Sequence, residues 1–451
     1  MRVPTFNRRS HRGVLIATLA TTALVAASCG SSDDTSESAT SDVSAAESGD
    51  ADEAPDDLGV DTLEVMSRWA AGSAEAGAFD AAAASFTEQT GVEIDVVGQA
   101  EEDLDVIYEA ALLGGTEPHV VIVNLFDKSI AWLDNEATVD VSGYVEDWGV
   151  TDQVDADALG EWTLDDGRVQ GFPYSGFAWP IWYNTDLLTE AGVDTVPATI
   201  EELEVATAAL REAGIGPVVV GGSDWSGQKL FMQIAQSYIE PATTQSLLET
   251  GGWCENPQAL AGIELFAELL SAGVFVDDVE GFTADLMNES YYNGDAAIMP
   301  AGSWAFANTP EDVLAATQIS GFPLPGDGAF GSPTVYQGFT GVGFMVSPRG
   351  ESEALPAIEQ FIEFMYSEDV YGSFVAAANI VPAIQLTDTS VAANPLLQSA
   401  LSSEYADTTD NALLMDVYVP PASGDAVNQA IALAYNGADA SEVCGLIDAG
   451  Y

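Results

Sequence analysis

The chain has only two histidines, His11 and His119, and two lysines, Lys128 and Lys229, among 451 residues. A Ser-His-Asp or Cys-His relay needs an imidazole beside its nucleophile. His11 falls in an N-terminal segment read below as removable. His119 directly precedes a β-branched run ending at Val123, where packing is its natural task. No G-x-S-x-G, H-E-x-x-H or phosphate-loop pattern occurs. Carboxylate hydrolysis needs just two acids, and 72 Asp and Glu are too many for any pair to be singled out. Asp165-Asp166-Gly167 reads as a turn. Asp277-Asp278 reads as solvated surface, because no full calcium-loop pattern surrounds it. The chemistry that stands out is aromatic. Nine Trp and 14 Tyr are present, several beside Gly or Pro. Trp179 and Trp182 lie in Phe177-Ala-Trp-Pro-Ile-Trp-Tyr-Asn, Trp225 in Gly222-Ser-Asp-Trp-Ser-Gly, and Trp304 in Ala301-Gly-Ser-Trp. Indole faces stack on the C–H faces of a sugar while amides and carboxylates bond its hydroxyl rim. Placement beside glycine favours Trp225 and Trp304 as ligand-facing, whereas Trp182 alternates as a strand residue and reads as core.

Charge excludes other partners. Against 72 acids stand ten basic residues, four of which (Arg2, Arg8, Arg9 and Arg12) precede Cys29, where no acid occurs. The remaining surface repels phosphate backbones and anionic lipid, so nucleic acid is no partner, and screening by salt relieves its self-repulsion. Residues 1–28 combine a basic start, an apolar run from Val14 to Ala27 and small residues before Cys29, the pattern of an export signal. The Cys after small residues resembles a bacterial lipobox, which implies lipidation of Cys29; the alternative is plain cleavage and release. Arg8-Arg9 hints at twin-Arg export. Residues 29–58, rich in Ser, Asp, Glu, Ala and Thr, read as an acidic tether too apolar-poor to fold. Cys254 and Cys444 remain; in an oxidising compartment they are read as a disulfide, with two separate buried thiols as the alternative. Two Cys and one His do not make a structural zinc site, and no cofactor or metal is expected.

The elements that would position the aromatics are legible in part. Leu63 and Val65 alternate as a strand, a helix spans Ala76 to Gln89 with Phe79, Ala83 and Phe86 inward, Gly91 stops it, and Val92, Ile94 and Val96 form a second strand. That unit implies a parallel crossover. His119 to Val123 reads as a buried parallel strand. Thr199 and Glu202 form a capping box before Leu203, Ala206 and Leu210, closed by Gly214. Asn256-Pro257 opens a helix that Gly273 stops. One helix is predicted from about Glu351 to Tyr366, and turns with short strands from Gly321 to Gly343. The reading is α/β, with mixed sheets flanked by helices in two lobes.

At these landmarks the chain resembles the carbohydrate-binding lipoproteins of ABC importers, relatives of maltose-binding protein, from about Leu63 to near the C-terminus. Trp69 through Glu75 with Phe86-Thr-Glu-Gln-Thr-Gly-Val, Tyr183-Asn-Thr-Asp-Leu-Leu, Pro197-Ala-Thr-Ile-Glu-Glu-Leu, Asn293-Gly-Asp-Ala-Ala-Ile-Met-Pro-Ala-Gly-Ser-Trp and Phe322-Pro-Leu-Pro carry the likeness, in order. The resemblance implies a two-lobed periplasmic-binding-protein fold of type II, with a hinge and a central ligand cleft. Lobe one would hold 59–176 and 341–380, lobe two 181–337 and 383–451, with crossings near Phe177–Pro180, Gln337–Thr340 and Ile380–Pro382. Cys254 and Cys444 would then share a lobe. It further implies ligand contacts at Ser73, Glu75, Asn124, Asp127, Trp179, Asp224, Trp225, Ser303, Trp304, Asp425 and Asn428. Most basic cleft residues of maltose-binding protein are missing, leaving Lys128 and Arg68, so the implied ligand is a neutral mono- or oligosaccharide rather than a maltodextrin. The implied protein is a monomeric, non-enzymatic receptor anchored by lipid on the outer face of the cytoplasmic membrane, delivering sugar to a permease. Two other readings stay open: a secreted carboxylate-based glycosidase, and a receptor for a non-sugar solute on the same fold.

Overall fold

A computed structural model describes residues 58–99, 103–126 and 128–451. The expected signal, Cys29 and the tether as far as residue 57 lie outside the described residues, as does Asp127. Eleven strands are described: β1 (Thr62–Ser67), β2 (Glu93–Gln99), β3 (Val120–Val123), β4 (Phe172–Trp179), β5 (Ile181–Asn184), β6 (Gly216–Val218), β7 (Ala296–Pro300), β8 (Thr317–Ser320), β9 (Thr334–Val346), β10 (Val381–Pro382) and β11 (Asp410–Asn411). They make two mixed sheets. The larger has the order β10-β4-β9-β3-β1-β2, with β11 paired to the start of β9; the smaller has the order β6-β7-β5-β8. β1 is parallel to β2 and β3, whereas β9 runs antiparallel to β3 and β4. The chain passes from one sheet to the other through Pro180, between the last residue of β4 and the first of β5.

Local chemistry explains the first unit. Ser73 accepts from the Ala76 N–H at the start of the helix Ala74–Thr90, and Gly91 ends it with φ 79°. Only a residue without a Cβ adopts that left-handed turn cheaply. Phe79, Ala82 and Phe86 are buried; Ala82, not the expected Ala83, completes the stripe. Both phenylalanines meet Phe361 edge-on, at 6.4 and 5.7 Å between ring centres. Each such ring contributes roughly 1.5–3 kcal/mol on burial. The capping box at Thr199 and Glu202 is formed, and Gly214 closes that helix in the left-handed region.

Two expectations fail for physical reasons. The helix foreseen over 351–366 is two, Pro348–Glu353 and Leu355–Tyr366, because Pro356 in the first turn of the second leaves Ala354 at φ −131°. The stretch from Gly321 to Gly343 holds turns and strand as expected, but its strand is not short. Its second half belongs to β9, the 13-residue strand between β3 and β4. Its glycines are there for closeness: a Cβ on Gly343 would fall 2.5 Å from the Trp162 ring and 2.7 Å from the Phe172 carbonyl.

His119 is structural. Its Nδ1 accepts from the Glu64 N–H at 3.0 Å, while Nε2 stands 3.8 Å from Glu353. Arg349 joins this corner to Glu64, to Glu353 at 3.0 Å and to the Glu117 carbonyl at 2.9 Å. Burial, aided by the Arg349 cation, holds the imidazole pKa below 6.5, against the pull of Glu64 and Glu353. Farther along, mid-chain Cys254 is joined to Cys444 near the C-terminus, 190 positions away. Asp448 reinforces that staple by accepting from the N–H groups of Gly252, Trp253 and Cys254 at 2.8, 2.8 and 3.0 Å. Among the described residues no helix is long and apolar enough to cross a membrane.

Two outcomes follow from these anchors. Replacing Cys254 and Cys444 by serine is expected to cost roughly 2–5 kcal/mol in urea unfolding, because the closed loop is long; a loss near zero contradicts this. A histidine held neutral takes up its proton at higher pH when unfolded, so its contribution is intact above about pH 6.5 and is lost as pH falls below it. Between about pH 7.5 and 5.5 the wild type should lose more stability than His119→Asn, which keeps an acceptor for Glu64 N–H. Equal losses in the two proteins would contradict the assignment.

Candidate functional site

The end of β4 brings the aromatics together. Residues two apart in a strand share a face, so Phe177 and Trp179 point the same way, and Trp179 lies opposite Tyr336 of β9. Asp224 caps the helix Trp225–Ala235 and thereby fixes Trp225, its first residue. Trp304 sits in the turn Ser303–Asn308 just after β7. The three indoles pack on one another: Trp179 to Trp225 at 5.3 Å, Trp179 to Trp304 at 5.5 Å and Trp225 to Trp304 at 5.8 Å between ring centres, all inclined by 58–70°. Exposure is graded across them, from 4 % at Trp179 through half-buried Trp225 to 39 % at Trp304. The Trp304 ring folds back over Gly302, where a Cβ would lie 2.1–2.4 Å from ring atoms. Any side chain at 302 would therefore displace the exposed face. Trp182 is fully buried, as its strand position indicates.

The loop after β3 reaches the same group. Phe126 meets Phe177 edge-on at 5.9 Å. The Ser129 hydroxyl ties this loop, lying 2.6 Å from the Asn124 carbonyl and 2.7 Å from that of Phe126. Asn124 is half-buried there. Lys128 pairs with Asp105 at 3.2 Å and Glu109 at 3.8 Å. These partners, with Asp425 adding a longer-range pull, hold its ammonium above the usual lysine range although burial works against them. Parallel β1 and β3 end on the same side of the sheet, so the loops that follow them, one leading to Ser73 and Glu75 and the other holding Asn124 and Phe126, leave from that side. Open α/β sheets bind ligands at such strand ends.

Several of the polar candidates already hold the scaffold. The Ser73 hydroxyl is a helix cap at 3.0 Å. Both Asp224 oxygens are engaged, one with the Ser226 N–H and hydroxyl at 3.0 and 2.8 Å, the other with the Ala284 N–H at 2.6 Å. Buried Ser303 accepts from the Ala178 N–H at 3.3 Å, which ties the Trp304 turn to β4. Asp425 is exposed and Asn428 half-buried, both on the helix Pro421–Tyr435. Of the candidate residues described, Trp179 has its buried indole N–H and Asn428 its buried Oδ1 without a hydrogen-bond partner, as several core residues also have such atoms. A buried polar atom without a partner costs stability unless water or a ligand serves it.

The sequence reading missed Phe126, Phe177 and Tyr336. Phe177 was discoverable, two residues before Trp179 in one strand. Tyr336 was not, because only β9 pairing places it. It also missed a buried ion pair, Lys229 with Asp416, beneath Tyr336, whose hydroxyl donates to the Lys229 carbonyl at 3.0 Å. Burial first, and then the Asp416 charge, raise the Tyr336 hydroxyl well above its ordinary pKa. Two surface hollows, of about 400 and 570 Å³, share no residue with the indole group. No group of three or more potential metal ligands occurs among the described residues.

Residues 70–371 match the family model for bacterial extracellular solute-binding protein. The chain is similar to a probable secreted solute-binding lipoprotein from Streptomyces coelicolor, with 38 % identity over 87 % of this chain and 98 % of that one, TM-score 0.75. It shares its fold with a chitin oligosaccharide binding protein at 21 % identity, 87 % and 98 % coverage and TM-score 0.77. It also shares it with the bacterial solute receptor AcbH, which has an exclusive preference for β-D-galactopyranose, at 16 % identity, 86 % and 97 % coverage and TM-score 0.73. No curated protein sequence matches the chain.

The graded exposure predicts graded costs. Trp179→Ala should lose about 3–5 kcal/mol and Trp304→Ala less than about 1.5 kcal/mol, read by chemical denaturation. Equal losses would mean that Trp304 is a core residue, not a ligand-facing one.

Proposed function

The chain belongs to the bacterial extracellular solute-binding proteins, and from that footing we propose that it captures a neutral mono- or oligosaccharide outside the cell and hands it to the membrane permease of an ABC importer. One observation carries the ligand class: three mutually packed indoles at the passage between the two sheets, with Trp304 turned outward. A flat apolar face flanked by amides and carboxylates suits a sugar ring better than an ion or a peptide backbone. The relatives for chitin oligosaccharide and galactopyranose have ligands of this chemistry. The family is one of binding proteins, and no turnover is expected.

In this reading the lobes 59–176 with 341–380 and 181–337 with 383–451 close on the sugar about crossings near 177–180, 337–340 and 380–382. Closure needs a ligand that favours the closed state over the open one. Trp304 and Trp225 stack on the ring. Asn124, Glu75, Asp425 and Asn428 serve its hydroxyls, with Asp127 assigned the same role from the sequence alone, and the buried indole N–H of Trp179 is a further donor without a protein partner. Ser73, Asp224 and Ser303 shape the walls, because their oxygens already serve the backbone. Lipid on Cys29 and an acidic tether over 29–58 would keep the monomeric receptor beside its permease.

Thermal unfolding of residues 59–451 against a panel of neutral sugars tests the reading. A ligand at a hundred times its Kd should stabilise the protein by about 2.7 kcal/mol, and Trp304→Ala should weaken its binding about tenfold or more. No shift with any sugar, in folded ligand-free protein, would overturn the sugar assignment in favour of another solute.

A further inference from the structure

The pairing of β4 with β9 loses step in the middle. Phe177 faces Gly338 and Ser175 faces Val342, so two residues along β4 match four along β9. Phe339, Thr340 and Gly341 therefore stand against Gly176 alone, two residues more than the ladder can match, as in a bulge, and their backbone groups need other partners. Two consecutive residues meet most of that need. Glu161, the last residue of the helix Ala156–Glu161, accepts the Phe339 N–H at 2.6 Å and also the Thr340 N–H. Trp162 donates its indole N–H to the Phe339 carbonyl at 2.8 Å. The Thr340 carbonyl accepts from the Leu125 N–H at 3.0 Å, which ties in the loop after β3.

Glycines make room for this clasp. A Cβ on Gly338 would lie 3.0 and 3.1 Å from the two Glu161 oxygens, one on Gly176 would lie 2.6 Å from the Gly338 carbonyl, and one on Gly341 would lie 2.7 Å from the Ser175 carbonyl. Burial raises the Glu161 pKa while the two N–H donors lower it, and its charge also reaches Tyr418, on the segment that follows β11. The carboxylate thus stands at the irregular part of the β4–β9 ladder, and it replaces ladder bonds with side-chain bonds.

We infer that Glu161 is a positioning residue. It fixes the register in which Phe177, Trp179 and Tyr336 share one cluster, and its hold on Phe339 and Thr340 governs how freely β9 bends at the crossing near 337–340. The second half rests on the closure reading above. The experiment uses no sugar, so it succeeds or fails whatever the ligand proves to be. Amide hydrogen exchange of the ligand-free protein is measured for Glu161→Gln, Glu161→Ala and Glu161→Asp. Spin labels at Leu113 and Val205, both strongly exposed, report the distance between the lobes. The Phe339 and Thr340 amides should exchange about tenfold faster or more in Glu161→Gln and faster still in Glu161→Ala, with partial recovery in Glu161→Asp. Phe344 to Val346 should keep their protection, and the label distance should broaden. Unchanged exchange at Phe339 and Thr340 in both the Gln and Ala variants overturns the inference. Faster exchange with an unchanged label distance overturns the control of bending.

Discussion

The antiparallel pairing of β4 with β9 is the constraint on which the rest depends. β4 carries Phe177 and Trp179 to the edge of the large sheet and leads through Pro180 into the small one. β9 supplies Tyr336 opposite them. A fully regular ladder would make a stiff joint, and this one is irregular at two places. The backbone groups left over are not abandoned to the interior. The Tyr366 and Tyr371 hydroxyls donate to the Pro173 and Tyr174 carbonyls, and Glu161 and Trp162 serve Phe339. Side-chain partners thus satisfy backbone groups that the irregular ladder leaves without a strand partner.

The acid excess shapes the molecule in a second way. Positive charge is scarce, and where it falls is informative. Lys229 is buried with Asp416 behind Tyr336, and Lys128 stands at the loop after β3 among Asp105, Glu109 and Asp425. Both lysines of the chain thus border the aromatic site. A buried ion pair gives little net stability, because desolvation offsets attraction, but losing one partner leaves an uncompensated charge. Many of the other acids face solvent, where salt screens them. Cohesion comes from apolar burial in each sheet and from the staple between Cys254 and Cys444.

The polar candidates show how a residue nominated for a ligand can also carry a supporting task. Ser73, Asp224 and Ser303 lie at the right places in the chain, yet their oxygens cap helices or bind backbone. Ser and Asp are the residues that helix starts prefer, so a helix aimed at a cleft puts such residues near the ligand for reasons unrelated to it. The exposed face of Trp304 has no comparable structural task, since its turn is held by Ser303 and accommodated by Gly302.

The amino-acid sequence by itself determined what is local. The helix after β1 follows from Ser73, its Phe stripe and Gly91. The capping box at Thr199 follows from residue types three apart. The candidacy of Trp225 and Trp304 follows from indoles beside glycine. These features need only neighbours within a turn or two of chain. Tertiary structure alone decided the rest, because it joins residues that no short pattern connects. The strand nature of the glycine-rich stretch at 334–346 comes from being enclosed by β3 and β4. The place of Tyr336 comes from its register with Trp179, and the use of Glu161 from a bulge nearly 180 positions away. Glycine counts as a breaker in local reasoning, but between two packed strands it is the residue that permits their approach.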